Sequence, residues 1–319
     1  MTRKARTIVV ATRKSALALA QCRQFLERWQ ERCPELKFEE LHVVTTGDRI
    51  VDRPLAEIGG KGLFLKEIEE ALIDGRADIA VHSMKDVPPQ LHPDLKLACV
   101  PERERPEDVL VSRHQGGLAG LPHGATLGTS SLRRAVQLLE RRPDLSIQPI
   151  RGNVGTRLKK CADGIVDATV LAAAGLNRLG LGEGLPVAGI MASTLTVEES
   201  LPAVGQGALA VEIRKDDREL ELLLKKIEDL PTTLCTDAER GLMTAVEGDC
   251  KTPVAAYAYR EAQEMVLRGF LADPEGKTRV RLERVFPWSE ERALNHQKGL
   301  ELGHALRSEL EKALLVPMT

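Results

Sequence analysis

The sequence predicts two α/β domains followed by a third, smaller α+β domain. Over roughly the first 230 residues, short runs of aliphatic and β-branched residues alternate with amphipathic stretches of helical period, which is a βαβ pattern. Beyond Leu230-Pro231, strand-like runs are separated by short turns instead. The chain has 319 residues, which is long for a single hydrophobic core.

The first domain begins with a strand and an amphipathic helix. In this helix Ala18, Cys22, Phe25 and Trp29 share one stripe, so Cys22 is predicted to belong to the core. Gly75 is expected to end the second long helix. The predicted elements are strand Thr7–Ala11, helix Ser15 to about Arg32, strand Leu41–Thr45, helix Gly62–Ile73 and strand Asp78–His82.

A charged, proline-flanked stretch from Pro101 to Pro106 is typical of a linker, and a second α/β unit follows it. Its predicted elements are strands Asp108–Ser112 and Ala125–Leu127, helix Leu132–Glu140, strand Ser146–Ile150, a helix from Asn153 and strand Ala168–Leu171. The third domain is predicted to hold a helix around Ala238–Ala245, strands Val254–Tyr259, Met265–Leu271 and Arg279–Val285, and a helix from about Ser289 to Leu314. We place domain 1 at residues 1–101 plus about 205–228, domain 2 at 106–202 and domain 3 at 230–319.

Composition argues against several classes of function. The net charge is −2 and aromatic residues make up 3%, so neither a general nucleic-acid coat nor a base-stacking platform is expected. The sequence has no signal-peptide-like core and no run near the roughly 20 apolar residues of a membrane span. Six cysteines without a CxxC pair predict reduced thiols, and we expect a cytoplasmic protein that binds no membrane and no nucleic acid.

Cations stand where four predicted helices begin, although the positive end of the helix dipole favours carboxylates there. Each stretch also contains Gly, Ser or Thr, which can leave backbone N–H groups free for an anion. This pattern predicts a pocket for a ligand with several negative groups. The stretches are Arg13-Lys14-Ser15, Gly60-Lys61-Gly62, Ser130-Ser131-Leu132-Arg133-Arg134 and Arg151-Gly152-Asn153-Val154-Gly155-Thr156-Arg157.

The same stretches fall at or just after the carboxyl ends of predicted strands, where open α/β sheets bind ligands. Two α/β lobes with facing strand ends predict a cleft between them. The residues at these ends are Arg13, Lys85, Ser130, Arg133 and Arg151. Gly59-Gly60-Lys61-Gly62 lacks both the glycine spacing and the following Ser/Thr of a nucleotide P-loop, so a P-loop is rejected.

Two residues are candidates for chemistry. Asp86 ends a strand beside Lys85; it either caps a turn, as loop aspartates usually do, or is an ionised carboxylate that stabilises a developing cation. Cys250 lies in a polar, charged loop and is the best candidate for covalent attachment among the cysteines. Lys251 favours its thiolate and Asp249 opposes it, so the spacing leaves its reactivity open.

Several blocks together resemble the porphobilinogen deaminase (hydroxymethylbilane synthase) family. They occur in the family's order over the first two-thirds of the chain, and Cys250 continues the match. The blocks are Ala11-Thr12-Arg13-Lys14-Ser15, Gly59-Gly60-Lys61-Gly62-Leu63-Phe64, His82-Ser83-Met84-Lys85-Asp86, Gly128-Thr129-Ser130-Ser131-Leu132-Arg133-Arg134, Arg151 to Arg157 and Leu201-Pro202-Ala203-Val204-Gly205-Gln206-Gly207.

The resemblance implies a transferase of tetrapyrrole (heme) biosynthesis that joins four porphobilinogens head to tail, with loss of ammonia, into hydroxymethylbilane. It implies two domains similar to the type II periplasmic-binding-protein fold and a dipyrromethane cofactor built from substrate, held by a thioether to Cys250. Asp86 corresponds to the family's catalytic carboxylate. Each porphobilinogen carries an acetate and a propionate, which accounts for the cations at the helix ends.

The resemblance also assigns binding roles, with no metal and no nucleotide. Arg178 lies in a weaker motif and is alternatively a surface helix residue; Gln21 and Gln206 are polar contributors or packing residues. A monomer is expected. Cofactor binding is assigned to Cys250, Lys85, Thr129, Ser130, Ser131, Arg133 and Arg134, and substrate binding to Arg13, Ser15, Arg151, Arg157 and Arg178.

The sequence departs from the family at Gly248-Asp249-Cys250-Lys251, where Gly-Gly-Cys-Gln is most frequent. Two other classes fit the two lobes alone: an anion-binding solute receptor and the effector domain of a transcriptional regulator. The third domain and the Cys250 loop argue against the receptor. The lack of a separate helix-turn-helix segment with a basic face argues against the regulator.

Overall fold

The computed structural model describes residues 6–49, 65–182, 184–247 and 252–315. The chain forms two compact units. Unit 1 comprises Met1–Glu104 and Ala208–Thr233, and unit 2 comprises Arg105–Gly207 and Leu234–Thr319. No helix of the described residues is long and apolar enough to cross a bilayer.

Unit 1 is built on a five-stranded mixed sheet in the order β2-β1-β3-β10-β4. Strand β1 is parallel to β2 and β3, while β10 enters late in the sequence and lies antiparallel to both β3 and β4. Its elements are β1 Thr7–Arg13, α1 Ala16–Arg32, β2 Lys37–Val43, α2 Thr46–Arg49, α3 Lys66–Ile73, β3 Ile79–Ser83, a 3₁₀ turn Met84–Asp86, β4 Leu95–Cys99, β10 Leu209–Arg214 and α7 Arg218–Leu224.

Helices cover both faces of this sheet because its strands are apolar on both sides. On one face α1 buries Cys22, Phe25 and Trp29 against strand residues including Ile8 and Val211. On the other face, Ile68 and Leu72 of α3 pack against a second apolar cluster. The two cores fix the strand ends from which the site residues project.

The first part of unit 2 repeats this architecture. Its sheet has the order β7-β6-β8-β5-β9; β6 is parallel to β7 and β8, and β5 is antiparallel to β8 and β9. In both sheets the second-to-last strand of the order lies antiparallel to its two neighbours and comes from another part of the sequence. The elements are β5 Asp108–Ser112, β6 Thr126–Gly128, α4 Leu132–Arg141, β7 Ser146–Gln148, α5 Val154–Ala162, β8 Ala168–Ala172, α6 Ala173–Arg178 and β9 Met191–Thr194.

The rest of unit 2 is an antiparallel three-stranded sheet in the order β11-β12-β13, packed against two helices. The helices cross closely at Gly299, where an added Cβ would overlap the carbonyl oxygen of Ala238. The elements are α8 Leu230–Ala245, β11 Val254–Glu261, β12 Glu264–Ala272, β13 Arg279–Pro287 and α9 Arg292–Leu315.

The predicted fold class is confirmed in its architecture: two α/β domains, each with a five-stranded mixed sheet, and a third small antiparallel sheet. The division into three domains stays a prediction, because the contacts group the second and third in one unit. Two element predictions were wrong at their starts. Strand β2 begins at Lys37, since an edge strand tolerates charged residues, and α8 begins at Leu230, since proline is accepted in the first helical turn. Strands β4, β9 and β10 were not predicted.

Candidate active site

Asp86 ends a short 3₁₀ turn that main-chain hydrogen bonds hold in place. The turn follows β3, with the Met84 N–H donating to the Ala208 carbonyl and the Val87 N–H donating to the Met84 carbonyl, each at 3.0 Å. Met84 and Val87 are buried, and both Lys85 and Asp86 are exposed. Within the described residues no hydrogen bond reaches the Asp86 carboxylate, so the turn-capping interpretation of this residue finds no support.

Unit 1 brings three of the predicted residues together, because Arg13, Ser15 and Asp86 line one pocket. Ser15 is the N-cap of α1, and its Oγ accepts a hydrogen bond from the Ala18 N–H at 3.2 Å. The pocket also contains Gln21, whose Nε2 donates to Oγ of Ser83 at 2.8 Å. A cation, hydroxyl groups and an open carboxylate therefore surround one cavity.

In unit 2 the three neighbouring hydroxyl residues shape the turn before α4. The Ser130 hydroxyl donates to the Ile150 carbonyl at 2.8 Å. The Ser131 N–H donates to Oγ1 of Thr129 at 3.1 Å, and Oγ of Ser131 caps the helix by accepting from the Arg134 N–H at 3.4 Å. Ser130 is exposed and Thr129 is buried. Each hydroxyl thus already has a structural task in the turn.

Arg133 and Arg134, which follow this turn, point into the protein. Both are buried, and both donate to Asp108 of β5: Arg133 from Nη2 at 2.8 Å, and Arg134 from Nε at 3.1 Å and Nη2 at 2.7 Å. Arg133 also donates to the Leu201 carbonyl at 2.6 Å, and Arg134 to the Val170 carbonyl at 2.9 Å. Their assignment to cofactor carboxylates stays a prediction, and the structure adds an internal carboxylate that it did not include.

Burial opposes the ionisation of Asp108 and is the largest single influence on it. Arg133 and Arg134 together outweigh that influence, so the pKa of Asp108 lies well below its usual range. Ser200 Oγ and Gln206 Nε2 donate to the same carboxylate at 2.8 and 2.9 Å. Asp108 is therefore an ionised residue within unit 2 that neutralises one of its two neighbouring cations.

The guanidinium of Arg157, unlike those of Arg133 and Arg134, is not neutralised by a described carboxylate. Burial lowers the pKa of Arg157, and repulsion from Arg134 and then Arg151 lowers it further. Its Nε donates to the Gly152 carbonyl at 3.0 Å, but its guanidinium forms no ion pair with any carboxylate that the structure describes. A cation that two other cations repel is suited to a ligand that brings carboxylates to it.

Arg178 ends α6 and donates from Nη2 to the Gly207 carbonyl at 2.7 Å. It is half-buried, so the alternative of a plain surface residue finds no support. In the same loop, Gln206 is buried and also donates to the Pro106 carbonyl at 2.7 Å. These bonds give Gln206 a structural role within unit 2, and a part in ligand binding stays a prediction.

Cys250 and Lys61 lie outside the described residues. The other five cysteines are all buried, and none of them forms a disulfide within the described residues. Burial, with a smaller contribution from Glu40, raises the pKa of Cys22 to about 12, and burial raises the pKa of Cys161. Because all five thiols are buried, they are poorly accessible to an electrophile.

The pattern of cations at helix starts holds for three helices. No acidic residue occurs in the first turn of α1, α4 or α5. The fourth stretch, Gly60-Lys61-Gly62, lies outside the described residues; the described helix that follows it, α3, begins at Lys66 and carries Glu67 and Glu69 in its first turn. The anion-site argument therefore depends on the other three.

Sequence reasoning missed three buried carboxylates, Asp108, Glu212 and Glu239. The first two occur in apolar strands, and a buried carboxylate requires a cationic or hydrogen-bonding partner. An acidic residue within an apolar strand was therefore the signal for a buried partner, but the sequence does not show which residue that partner is. Glu212 lies beside His82, which lines the pocket and to which the sequence analysis assigned no role.

The chain was compared with known proteins. The family model described as "Porphobilinogen deaminase, dipyromethane cofactor binding domain" matches residues 8–222, and that described as "Porphobilinogen deaminase, C-terminal domain" matches residues 233–312. A porphobilinogen deaminase from Sorangium cellulosum is 52% identical over 305 residues, covering 96% of this chain and 98% of the relative. One from Thiobacillus denitrificans is 48% identical over 270 residues, covering 85% and 86%.

Among solved structures, the probable amino-acid ABC transporter extracellular-binding protein YtmK from Bacillus subtilis matches with a TM-score of 0.46 at 13% identity, covering 70% of this chain and 90% of that protein. The Bordetella pertussis BvgS periplasmic VFT2 domain matches with a TM-score of 0.40 at 20% identity, covering 69% and 86%. At these scores the assignment depends on the sequence matches, which extend over nearly the whole chain. The chain belongs to the porphobilinogen deaminase family, whose members polymerise porphobilinogen into hydroxymethylbilane on a dipyrromethane cofactor.

Proposed function

We propose that Asp86 is the catalytic carboxylate of this activity, and that Arg13 and Ser15 bind substrate carboxylates beside it. The observation that carries this proposal is the pocket of unit 1, where these three residues meet and where the Asp86 carboxylate has no hydrogen-bond partner among the described residues. A carboxylate left open in a pocket with a cation is available to a ligand that carries both N–H donors and carboxylates.

Asp86 has two tasks in the reaction. When the aminomethyl group of porphobilinogen loses ammonia, the substrate becomes an azafulvenium cation, and the ionised carboxylate stabilises it through charge and the pyrrole N–H. After the new C–C bond forms, the attacking α-carbon loses its proton, which Asp86 accepts and passes to ammonia or water. The main-chain hydrogen bonds beneath the turn hold the carboxylate in place for both steps.

Unit 2 supports the cofactor part of the proposal. Arg157 lies close enough to Arg134, which is assigned to the cofactor, and to Arg151 for both cations to repel it, and it lacks a described carboxylate partner. Ligands that carry several carboxylates, as the dipyrromethane and the substrate do, fit such a place, where Arg151 and Arg157 belong to the substrate site. When bound, the dipyrromethane supplies the free α-carbon from which the chain grows. Cys250 is the proposed attachment residue, and the burial of the five other cysteines supports this choice by elimination.

The remaining assignments belong to the same proposal. Lys85, Thr129, Ser130, Ser131, Arg133 and Arg134 contribute to the cofactor site, and Arg151 and Arg178 to the substrate site. We also place the protein in the cytoplasm as a monomer. The five described cysteines form no disulfide, which is consistent with a reducing compartment, and light scattering measures the oligomeric state.

Asp86→Ala tests the catalytic assignment. The variant is expected to fold normally, because the carboxylate makes no described hydrogen bond, and to lose hydroxymethylbilane formation from added porphobilinogen. Asp74→Ala is the matched control, since Asp74 is an exposed aspartate in the same unit. Near-parental turnover by Asp86→Ala would show that another group performs the chemistry.

A further inference from the structure

Side chains hold the turn that carries Arg151. Strand β7 ends at Gln148 and helix α5 begins at Val154, so residues 150–152, which we call the Arg151 turn, belong to neither element. Each of the three main-chain carbonyls of this turn accepts a hydrogen bond from a side chain. The pairs are the Ile150 carbonyl with Ser130 Oγ at 2.8 Å, the Arg151 carbonyl with Lys160 Nζ at 3.2 Å and the Gly152 carbonyl with Arg157 Nε at 3.0 Å.

Of these three donors, only Lys160 has no role in the proposed site, since Ser130 is assigned to the cofactor and Arg157 to the substrate. Lys160 lies in the last turn of α5, where a cation usually faces the carbonyls at the C-terminal end of its helix. Its half-buried side chain instead reaches a carbonyl nine residues earlier in the sequence, before the helix begins. The adjacent Lys159 differs, because it is exposed and pairs with Asp163 at 2.8 Å. A surface ion pair is therefore the task of Lys159 and not of Lys160.

The Arg151 turn carries a cation close to another cation. Burial, and then repulsion from Arg134 and Arg151, lowers the pKa of Arg157, so Arg151 lies near enough to Arg157 for the two to repel each other. Gly152 has φ +117°, and a Cβ added there would overlap the Thr156 side chain, so the turn has one tightly fitted backbone conformation. Repulsion favours displacement of Arg151 from this place. A hydrogen bond from an ammonium group to the carbonyl of the same residue opposes that displacement.

We propose that Lys160 is a positioning residue of the substrate site: by holding the Arg151 carbonyl, it fixes where the Arg151 guanidinium meets a carboxylate of porphobilinogen. Lys160 acts through Arg151 and makes no contact with the substrate itself. Its effect falls on binding, because a cation that is already in place loses less conformational freedom when the carboxylate arrives. The inference rests on the proposed role of Arg151 in substrate binding.

Lys160→Met is the principal test, since it removes the ammonium group and keeps an unbranched apolar side chain in the helix. The KM for porphobilinogen is expected to rise about tenfold, as for the loss of one charged hydrogen bond, while kcat changes much less. Lys160→Arg keeps a charged donor and should restore most of the lost affinity. Lys159→Met is the control: it removes the neighbouring exposed lysine and should leave both constants unchanged.

A double variant separates positioning from a general structural role. If Lys160 acts through Arg151, its loss adds nothing once Arg151 is gone, so Arg151→Gln with Lys160→Met should have the same kcat/KM as Arg151→Gln alone. Gly152→Ala disturbs the same turn by backbone strain; it serves if Lys160→Met folds poorly, and it too should raise KM with little change in kcat.

Two kinds of failure can be told apart. An unchanged KM in Lys160→Met, no recovery in Lys160→Arg, or additive losses in the double variant would overturn the positioning role of Lys160. A parental KM in Arg151→Gln alone would instead overturn the proposed substrate-binding role of Arg151, and the inference would fall with it.

Discussion

Asp108→Asn is expected to destabilise the protein severely, because it removes the counter-charge of two buried arginines, Arg133 and Arg134. Asp108 is fully buried and accepts five hydrogen bonds from the four side chains of Arg133, Arg134, Ser200 and Gln206. Asparagine has nearly the same shape but no charge, and its amide group turns N–H donors toward N–H donors. Both guanidinium groups would then remain buried without a counter-charge.

Removing one partner of a buried ion pair costs about 3–5 kcal/mol. We adopt that range and not the sum of five bonds, because contributions within one network are not additive. A loss of this size is a large part of the roughly 5–15 kcal/mol that stabilises a typical protein. With a urea dependence of about 2–3 kcal/mol/M, it lowers the midpoint of unfolding by about 1–2.5 M.

The assay is urea unfolding followed by circular dichroism, with Asp144→Asn as control. Asp144 forms a two-bond ion pair with Arg142 at 2.7 Å on each side, but at the surface, so its loss should cost much less. The folded-state pKa of Asp108 is lowered, so its stabilising effect is present above its unfolded pKa of about 3.9 and is lost as the pH falls further. The difference between parent and variant should therefore be constant at neutral pH and shrink only below about pH 4. Equal midpoints for parent and Asp108→Asn would refute this account of the network.

Three further predictions concern the helices and the thiols. Gly299→Ala should destabilise the protein by about 1–3 kcal/mol in thermal unfolding, because its Cβ would overlap a main-chain carbonyl of α8. Gly155→Ala is the control: its Cβ has space in α5, so the change should be neutral or stabilising. Equal effects of the two substitutions would contradict the packing argument. Arg157→Leu should weaken cofactor assembly or early elongation about ten- to a hundredfold, as expected for the loss of one charged hydrogen bond. Lys159→Leu, on the exposed side of α5, is the control and should have no effect. In native Cys250→Ser, a thiol reagent should label no cysteine within minutes, since the other five are buried; rapid labelling would show that one of them is accessible.

Much of the fold was predictable because hydrophobic period carries it. Strand Asp108–Ser112 was predicted with its observed bounds, and α1 and α4 were placed within one residue at each end. Strand β10 was missed although all but the last of its residues are buried, because its partners β3 and β4 are more than a hundred residues away in sequence. Pairing over that distance leaves no local signal.

The site was predictable in its residue types but not in its hydrogen bonds. Helix-start cations and the Asp86 motif indicated an anion site, and the structure gathers Arg13, Ser15 and Asp86 in one pocket. That Arg133 turns inward to Asp108 follows from tertiary packing alone, since a sequence shows a cation but not the carboxylate that it meets.

The most direct test of the central claim is the intact mass of the purified protein beside that of Cys250→Ser. The account predicts an added mass equal to two linked pyrroles in the parent and none in the variant. A parent that stays unmodified after incubation with porphobilinogen and with preformed hydroxymethylbilane, or a variant that carries the same added mass, would contradict attachment at Cys250.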